Sequence, residues 1–84
     1  MKKNVYKNVS GKGNVTHMVL ELTECPQPHP YGFAAHVQLR TRLVDGTEPA
    51  RSGKHFKTME EAFSNFKDFE TKLDNNVDAQ RVEE

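Results

Sequence analysis

The chain has one cysteine, no tryptophan and no long apolar run, and its charges cancel. Cys25 has no second thiol to pair with, so no intrachain disulfide can form. A lone thiol without a secretory apolar segment is typical of a reducing cytoplasm. No stretch approaches the ~20 apolar residues that a membrane-spanning helix needs. We therefore expect a cytoplasmic protein that does not associate with membranes.

A small core follows from the length and the composition. The 84 residues are 35% hydrophobic, which suits one small domain with a thin core of Phe, Leu, Val and Met. A ligand cavity of about 300 Å³ or more has little room in such a chain. The sequence also lacks the residue arrangements of a nucleophilic triad or an acid–base dyad. We expect a protein that is not an enzyme.

The zero net charge conceals a division along the chain. Residues 1–57 carry nine basic side chains against four acidic ones, whereas residues 58–84 carry three against eight. Such asymmetry occurs in proteins that bind a polyanion or associate with a second copy, and also in ordinary soluble domains. A nucleic-acid partner and a homodimer are both hypotheses at this point.

Residues 33–44 show the cleanest strand pattern in the chain, and we call this segment the central strand. Apolar side chains alternate with polar ones at a period of two, which is typical of a strand with one buried and one wet face. We expect the wet face to be cationic. Its side chains are His36, Gln38, Arg40 and Arg42.

Three segments precede this strand. Residues 15–23 alternate in the same way and predict another strand. A shorter alternation within residues 1–14 predicts an edge strand or an arm. Residues 25–32 hold three prolines at alternate positions, so they should run extended over the surface without joining the sheet. This loop is either a spacer or, with Tyr31, a docking segment.

A hairpin follows the central strand. The pair Asp45-Gly46 favours a two-residue type I′ turn, which places His36 opposite His55. A four-residue loop would place His36 opposite Lys57 instead. Both registers keep each residue on its face, because only an odd slip exchanges faces. The third strand, near residues 51–57, is expected at the sheet edge because a proline precedes it.

Residues 58–74 predict an amphipathic helix. Thr58 is a good N-cap residue, and Glu61 completes a capping box. Apolar residues recur at spacings of three and four and form one stripe. We expect this helix to share a core with the central strand, and residues 75–84 to be a flexible acidic tail. The predicted core contains Phe33, Val37, Leu39, Phe63 and Phe66.

Together these elements predict one α+β domain over residues 1–84, with an ordered core at about 15–74. The sheet should be an antiparallel meander of three strands, or four if the N-terminal segment pairs. One C-terminal helix should pack on one face and leave the other face open. The open face should carry a polar and basic cluster: His36, Gln38, Arg40, Arg42, Arg51, His55 and Lys57.

Three strings in this region form one pattern: VQLRTR at 37–42, DG at 45–46 and GKHFKTMEEA at 53–62. This pattern resembles the three-stranded arm-type DNA-binding domains of phage integrases over residues ~33–73. Plant ethylene-response-type domains share that architecture. In those families the open sheet enters the major groove, and Arg and Lys on its strands contact bases and phosphates. The resemblance implies the same role for the basic cluster.

Two functions therefore remain open. The first is a module that binds nucleic acid through the open basic face. The second is a protein–protein interaction or inhibitor module, of a kind that phages and mobile elements encode. It would act through a strand edge, the proline loop or a dimer contact. No spacing of Cys and His suggests zinc, so we expect no metal site and no cofactor.

Overall fold

The computed structural model describes residues 1–83. Its elements are β1 (Lys2–Asn8), β2 (Val15–Glu24), β3 (Ala35–Leu43), β4 (Ala50–Phe56), α1 (Met59–Asp74) and β5 (Ala79–Val82). The strands form one antiparallel sheet in the order β4-β3-β2-β1-β5, and α1 packs on one face of it. The α+β class is confirmed. The described sheet, however, has five strands rather than three or four, and the helix is followed by a strand.

The core lies between α1 and the sheet. Residues of β2 and β3 at alternate positions point towards the helix, where Phe66 is fully buried. Burial of one large apolar side chain contributes roughly 1.5–3 kcal/mol, so a few such residues stabilise the domain. The core consists of Tyr6, Leu20, Leu22, Ala35, Val37, Phe56, Ala62, Phe66 and Leu73.

Of the five predicted core residues, Phe33 and Phe63 are neither in this core nor among the partly buried residues that pack against it. Phe63 is 41% exposed, because it lies at the margin of the helical stripe. Phe33 precedes β3 and lies against the rings of His29 and His55. Leu39 is partly buried and packs against the core. Periodicity identifies the side of a helix that faces a sheet, but it does not show how far the contact extends.

The two ends of the chain also differ from the prediction. β1 is an inner strand with β2 on one side and β5 on the other, rather than an edge strand or an arm. The segment predicted as a flexible tail contains β5, and Glu84 lies outside the described residues. Arg81 of β5 donates to both carboxylate oxygens of Asp74 at 2.9 and 2.8 Å. That contact joins β5 to the end of α1.

The hairpin between β3 and β4 has a three-residue loop, so neither the two-residue turn nor the four-residue loop that the sequence left open is present. The Gly46 N–H donates to the Leu43 carbonyl at 2.9 Å, and the Leu43 N–H donates to the Thr47 carbonyl at 2.8 Å. Gly46 has a φ of 89°, whereas no described residue other than glycine has a positive φ. A type I′ turn needs a positive φ at both central residues, so Asp45 excludes it.

A β-bulge at Arg51 compensates for the one residue by which that loop is longer than a two-residue turn. Near the loop Arg40 pairs with Ala50, and one step further along Leu39 pairs with Ser52. Arg51 is the extra residue between these two pairs. Because an odd slip exchanges the faces of a strand, the bulge returns the rest of β4 to the faces expected for it.

The helix begins and ends where the sequence predicts. The Thr58 hydroxyl accepts a hydrogen bond from the Glu61 N–H at 3.2 Å, and such an N-cap is worth about 1 kcal/mol. At the other end, the Asn75 N–H donates to the Thr71 carbonyl at 3.1 Å. Within residues 1–83, no helix has both the length and the apolar character required to cross a membrane.

Candidate nucleic-acid interface

The sheet face opposite α1 is the predicted binding surface. Asn4 and Tyr6 of β1 hydrogen-bond to carboxylates of α1, so their neighbours on β1 point away from the helix. The pairing then assigns the matching residues of the other strands to the same side. We call this surface the open face. Its principal polar residues are Lys3, Lys7, Glu21, His36, Gln38, Arg40, Arg42 and His55.

Arg40 lies at the centre of a hydrogen-bonded group on the open face. One of its terminal nitrogens, Nη1, donates to Glu21 at 2.8 Å and to the Gln38 amide oxygen at 2.9 Å, while Nε donates to Glu48 at 3.3 Å. Its side chain is only 17% exposed. Burial lowers the pKa of Arg40, but the hydrogen bonds to the two carboxylates outweigh it and the net shift is upward. Arg40 is therefore a charged and well-positioned donor.

Glu48 bridges the two arginines of β3. Its Oε2 accepts from Arg42 Nε at 2.7 Å, and its Oε1 accepts from Arg40. The hydrogen bond from Arg42 is the main reason that the pKa of Glu48 lies below its ordinary value. The carboxylate stays ionised, so it offsets part of the positive charge that the sequence predicted for this face.

Two lysines that the sequence analysis did not assign to the site restore a positive balance. Lys3 and Lys7 lie on β1, with Lys3 beside Glu21 and Lys7 beside His17 in the register. Counted with Arg40 and Arg42, the described open face carries four lysine or arginine side chains against the carboxylates of Glu21 and Glu48. The alternation within residues 1–8 was the available signal, but it did not show that this strand lies inside the sheet.

A group of rings occupies the end of the open face at β3 and β4, and we call it the ring cluster. His36 and His55 are cross-strand partners, as the two-residue turn predicted, and their rings stack at 4.2 Å with an interplanar angle of 10°. Phe33 lies 5.3 Å from His55, and His29 lies 5.5 Å from Phe33 in an edge arrangement. Tyr31 follows at 6.1 Å from His29. Three of these five rings come from the proline loop and the residues after it.

Arg51 and Lys57 do not join the predicted cluster. Arg51 is the bulged residue, and its Nε donates to the Thr41 hydroxyl at 2.8 Å. Thr41 alternates with Leu39 on the helix side of β3. Lys57 follows the last residue of β4 and lies exposed in the bend before α1. The other five predicted site residues, His36, Gln38, Arg40, Arg42 and His55, lie together on the open face.

The open face offers hydrogen-bond donors and ring faces to a ligand. Within residues 1–83, no group of three or more His, Cys, Asp or Glu side chains is placed to hold a metal ion.

The pKa of His36 lies below its ordinary value, first because burial disfavours the charged ring and second because His55 is adjacent. The His36 ring is therefore uncharged at neutral pH.

Comparison of the chain with protein-family models, with curated proteins and with solved structures gave no match. The resemblance to the arm-type domains of phage integrases therefore stays a prediction.

Proposed function

We propose that this protein is a small non-enzymatic module that binds nucleic acid on its open face. The observation that carries the proposal is the set of basic side chains on β1 and β3, the two strands that flank β2, on the sheet face that α1 leaves uncovered. Contacts between such side chains and phosphates supply most of the affinity in nonspecific binding of nucleic acid. Arginine suits this role because its planar fork donates two parallel hydrogen bonds to one phosphate.

Glu48 competes with phosphate in this arrangement. It lies in the loop between β3 and β4, where its two oxygens accept from Arg40 and Arg42 as two phosphate oxygens would. A bound phosphate takes the place of this carboxylate, and the guanidinium groups already point in the required direction. The Glu48 carboxylate thus orients the two guanidinium groups but competes with phosphate for them. Removal of its charge should therefore strengthen the binding of nucleic acid.

The proposal predicts opposite effects for two neighbouring substitutions. Titration of labelled DNA and RNA at several salt concentrations should give a log K that falls with log salt by about 0.9 per phosphate neutralised on duplex DNA. Arg42→Ala should weaken binding and make this dependence shallower. Glu48→Gln keeps the shape of the side chain but removes its charge, and it should tighten binding.

Exposed lysines on the opposite side of the molecule provide the matched control. Lys67 and Lys72 lie on α1 and are exposed, so Lys67→Ala and Lys72→Ala remove one positive charge each without touching the open face. Both variants should bind as the unaltered protein does. Absence of binding at low salt, or an equal loss in the lysine variants and in Arg42→Ala, would refute the proposal.

One observation favours a protein partner as the second candidate. β4 is an edge strand whose residues 50–55 are all exposed, and β3 is the one strand of the described residues that pairs with it. Pro49 and the bulge at Arg51 restrict the accessible backbone to the second half of the strand. Two such edges can pair across a two-fold axis. Light scattering that shows a dimer, together with no nucleic-acid binding, would favour this candidate.

A further inference from the structure

We propose that the ring cluster stacks against an unpaired base, so that the ligand of the open face is single-stranded nucleic acid rather than a duplex. This inference rests on the proposed function and adds the class of nucleic acid to it. The ring cluster does not belong to the core, since none of its members is among the buried residues that pack against α1. Tyr31 is 75% exposed, which is unusual for a ring that stabilises the fold.

The ring cluster encloses a shallow recess of about 260 Å³ lined by His29, Pro30, Tyr31, Phe33 and His55. An apolar cavity of about 150 Å³ is known to hold one benzene molecule. The recess is therefore large enough for one nucleobase. The polar side chains beside it on β3 favour a ligand that combines a flat ring with a charged chain.

The loop that carries these rings is fixed by its own hydrogen bonds. The Gln27 amide Nε2 donates to the Cys25 carbonyl at 3.1 Å and to the Phe33 carbonyl at 3.0 Å. The Tyr31 N–H donates to His29 Nδ1 at 3.1 Å, so Nδ1 is the ring nitrogen that accepts. The loop backbone and the His29 ring are thus held in position before a ligand binds, which lowers the entropy cost of binding.

Gly53 on β4 makes room for the stacked histidines. A Cβ at this position would lie 3.0 Å from His36 Nε2, a distance at which the imidazole has to move. The φ of Gly53 is not in the left-handed region, so the backbone itself does not require glycine. The absence of a side chain at residue 53 instead allows the His36 ring to lie flat beside His55.

The ring cluster is continuous with the basic part of the open face. His36, Gln38 and Arg40 follow one another on the same side of β3, so the backbones of His36 and Arg40 are about 13 Å apart along the strand. The Arg40 guanidinium points from there towards Gln38, to which it donates. Proteins that bind single strands combine such a charged track with rings on which bases stack. A duplex keeps its bases paired and stacked inside, so it cannot place one in this recess.

Three probes of equal length test the inference on the full chain: a single strand of about 12 thymidines or uridines, the same backbone without bases, and a duplex. The single strand should bind most tightly. Tyr31→Ala and His55→Ala should each lower affinity for it about 5- to 150-fold, which is the effect of losing one stacked base. Neither variant should change affinity for the backbone without bases. Phe63→Ala removes an exposed ring from α1 and should bind all three probes normally.

The outcomes separate this inference from the function on which it rests. If the duplex or the backbone without bases binds as tightly as the single strand, and Arg42→Ala still weakens binding, the proposed function holds and the stacking site is refuted. Unchanged affinity in Tyr31→Ala and His55→Ala leads to the same conclusion. If no probe binds, both proposals are refuted. Thermal unfolding of each variant shows whether a loss of affinity reflects a loss of fold.

Discussion

The two faces of the sheet are built from different chemistry. The face under α1 has apolar side chains at its centre and a polar group at its margin, where Tyr6 contacts Asp74 and Arg81. The open face has the opposite proportions of apolar and polar side chains. Its buried centre is small, with Val5 at 5% and Val19 at 0% exposure, and arginines, carboxylates and rings surround it. The first face holds the domain together, whereas the second presents groups to a ligand.

This difference implies that substitutions on the two faces should act on different quantities. Removal of apolar area under the helix exposes a cavity and lowers the free energy of unfolding. Removal of a charge from the open face leaves packing almost intact, because exposed and half-exposed ion pairs contribute little to stability.

Phe66→Ala should lower the free energy of unfolding by about 3–5 kcal/mol, because Phe66 is fully buried between α1 and the sheet. That loss is a large share of the stability of a small domain. Denaturant titration followed by circular dichroism measures it. Phe63→Ala is the matched control on the same helix, and it should cost much less because Phe63 is 41% exposed. Equal losses in the two variants would show that the core is not where the structure has it.

The ion pair of Arg42 and Glu48 should contribute a coupling free energy of only about 0.2–1 kcal/mol. Its nitrogen–oxygen distance is 2.7 Å, but the two side chains keep 22% and 29% exposure, so water and salt screen the pair. A double-mutant cycle with Arg42→Ala and Glu48→Gln isolates this pair from the other contacts of Arg42. A coupling as large as the loss in Phe66→Ala would contradict the division between the two faces.

The His36–His55 stack should make stability depend weakly on pH. The folded-state pKa of His36 lies below its ordinary value of 6.5, mainly because of burial. The folded state therefore binds fewer protons than the unfolded state, and the free energy of unfolding should fall as the pH drops through 6.5. Denaturant titrations in a pH series should show this slope, and His36→Gln should flatten it.

The pH window separates this effect from that of the carboxylates. The pKa of Glu48 is lowered from 4.5, so its contribution to stability is lost only at pH values below that. A slope between 6.5 and 4.5 that persists unchanged in His36→Gln would show that the imidazole stack is not its source.

Local patterns predicted the elements that depend on neighbours in sequence. The helix at Met59–Asp74 with its Thr58 cap agrees with the prediction, and β2, β3 and β4 agree to within two residues at each end. These elements carry strong signals: a capping box, a stripe of apolar residues and a clean alternation. The side of β3 that faces the solvent, and hence His36, Gln38, Arg40 and Arg42, also followed from the alternation alone.

The sequence by itself thus determined the helix, the strands β2, β3 and β4, and the residues of β3 that face the solvent, because each depends on spacing within a few residues. Only the tertiary structure decided that β5 pairs with β1, since Tyr6 and Arg81 meet across 75 residues of sequence. It also decided that a bulge turns Arg51 away from the open face, that Glu48 bridges two arginines, and that the proline loop adds rings beside His55. These contacts depend on how loops and distant strands meet in space, and no local periodicity records that.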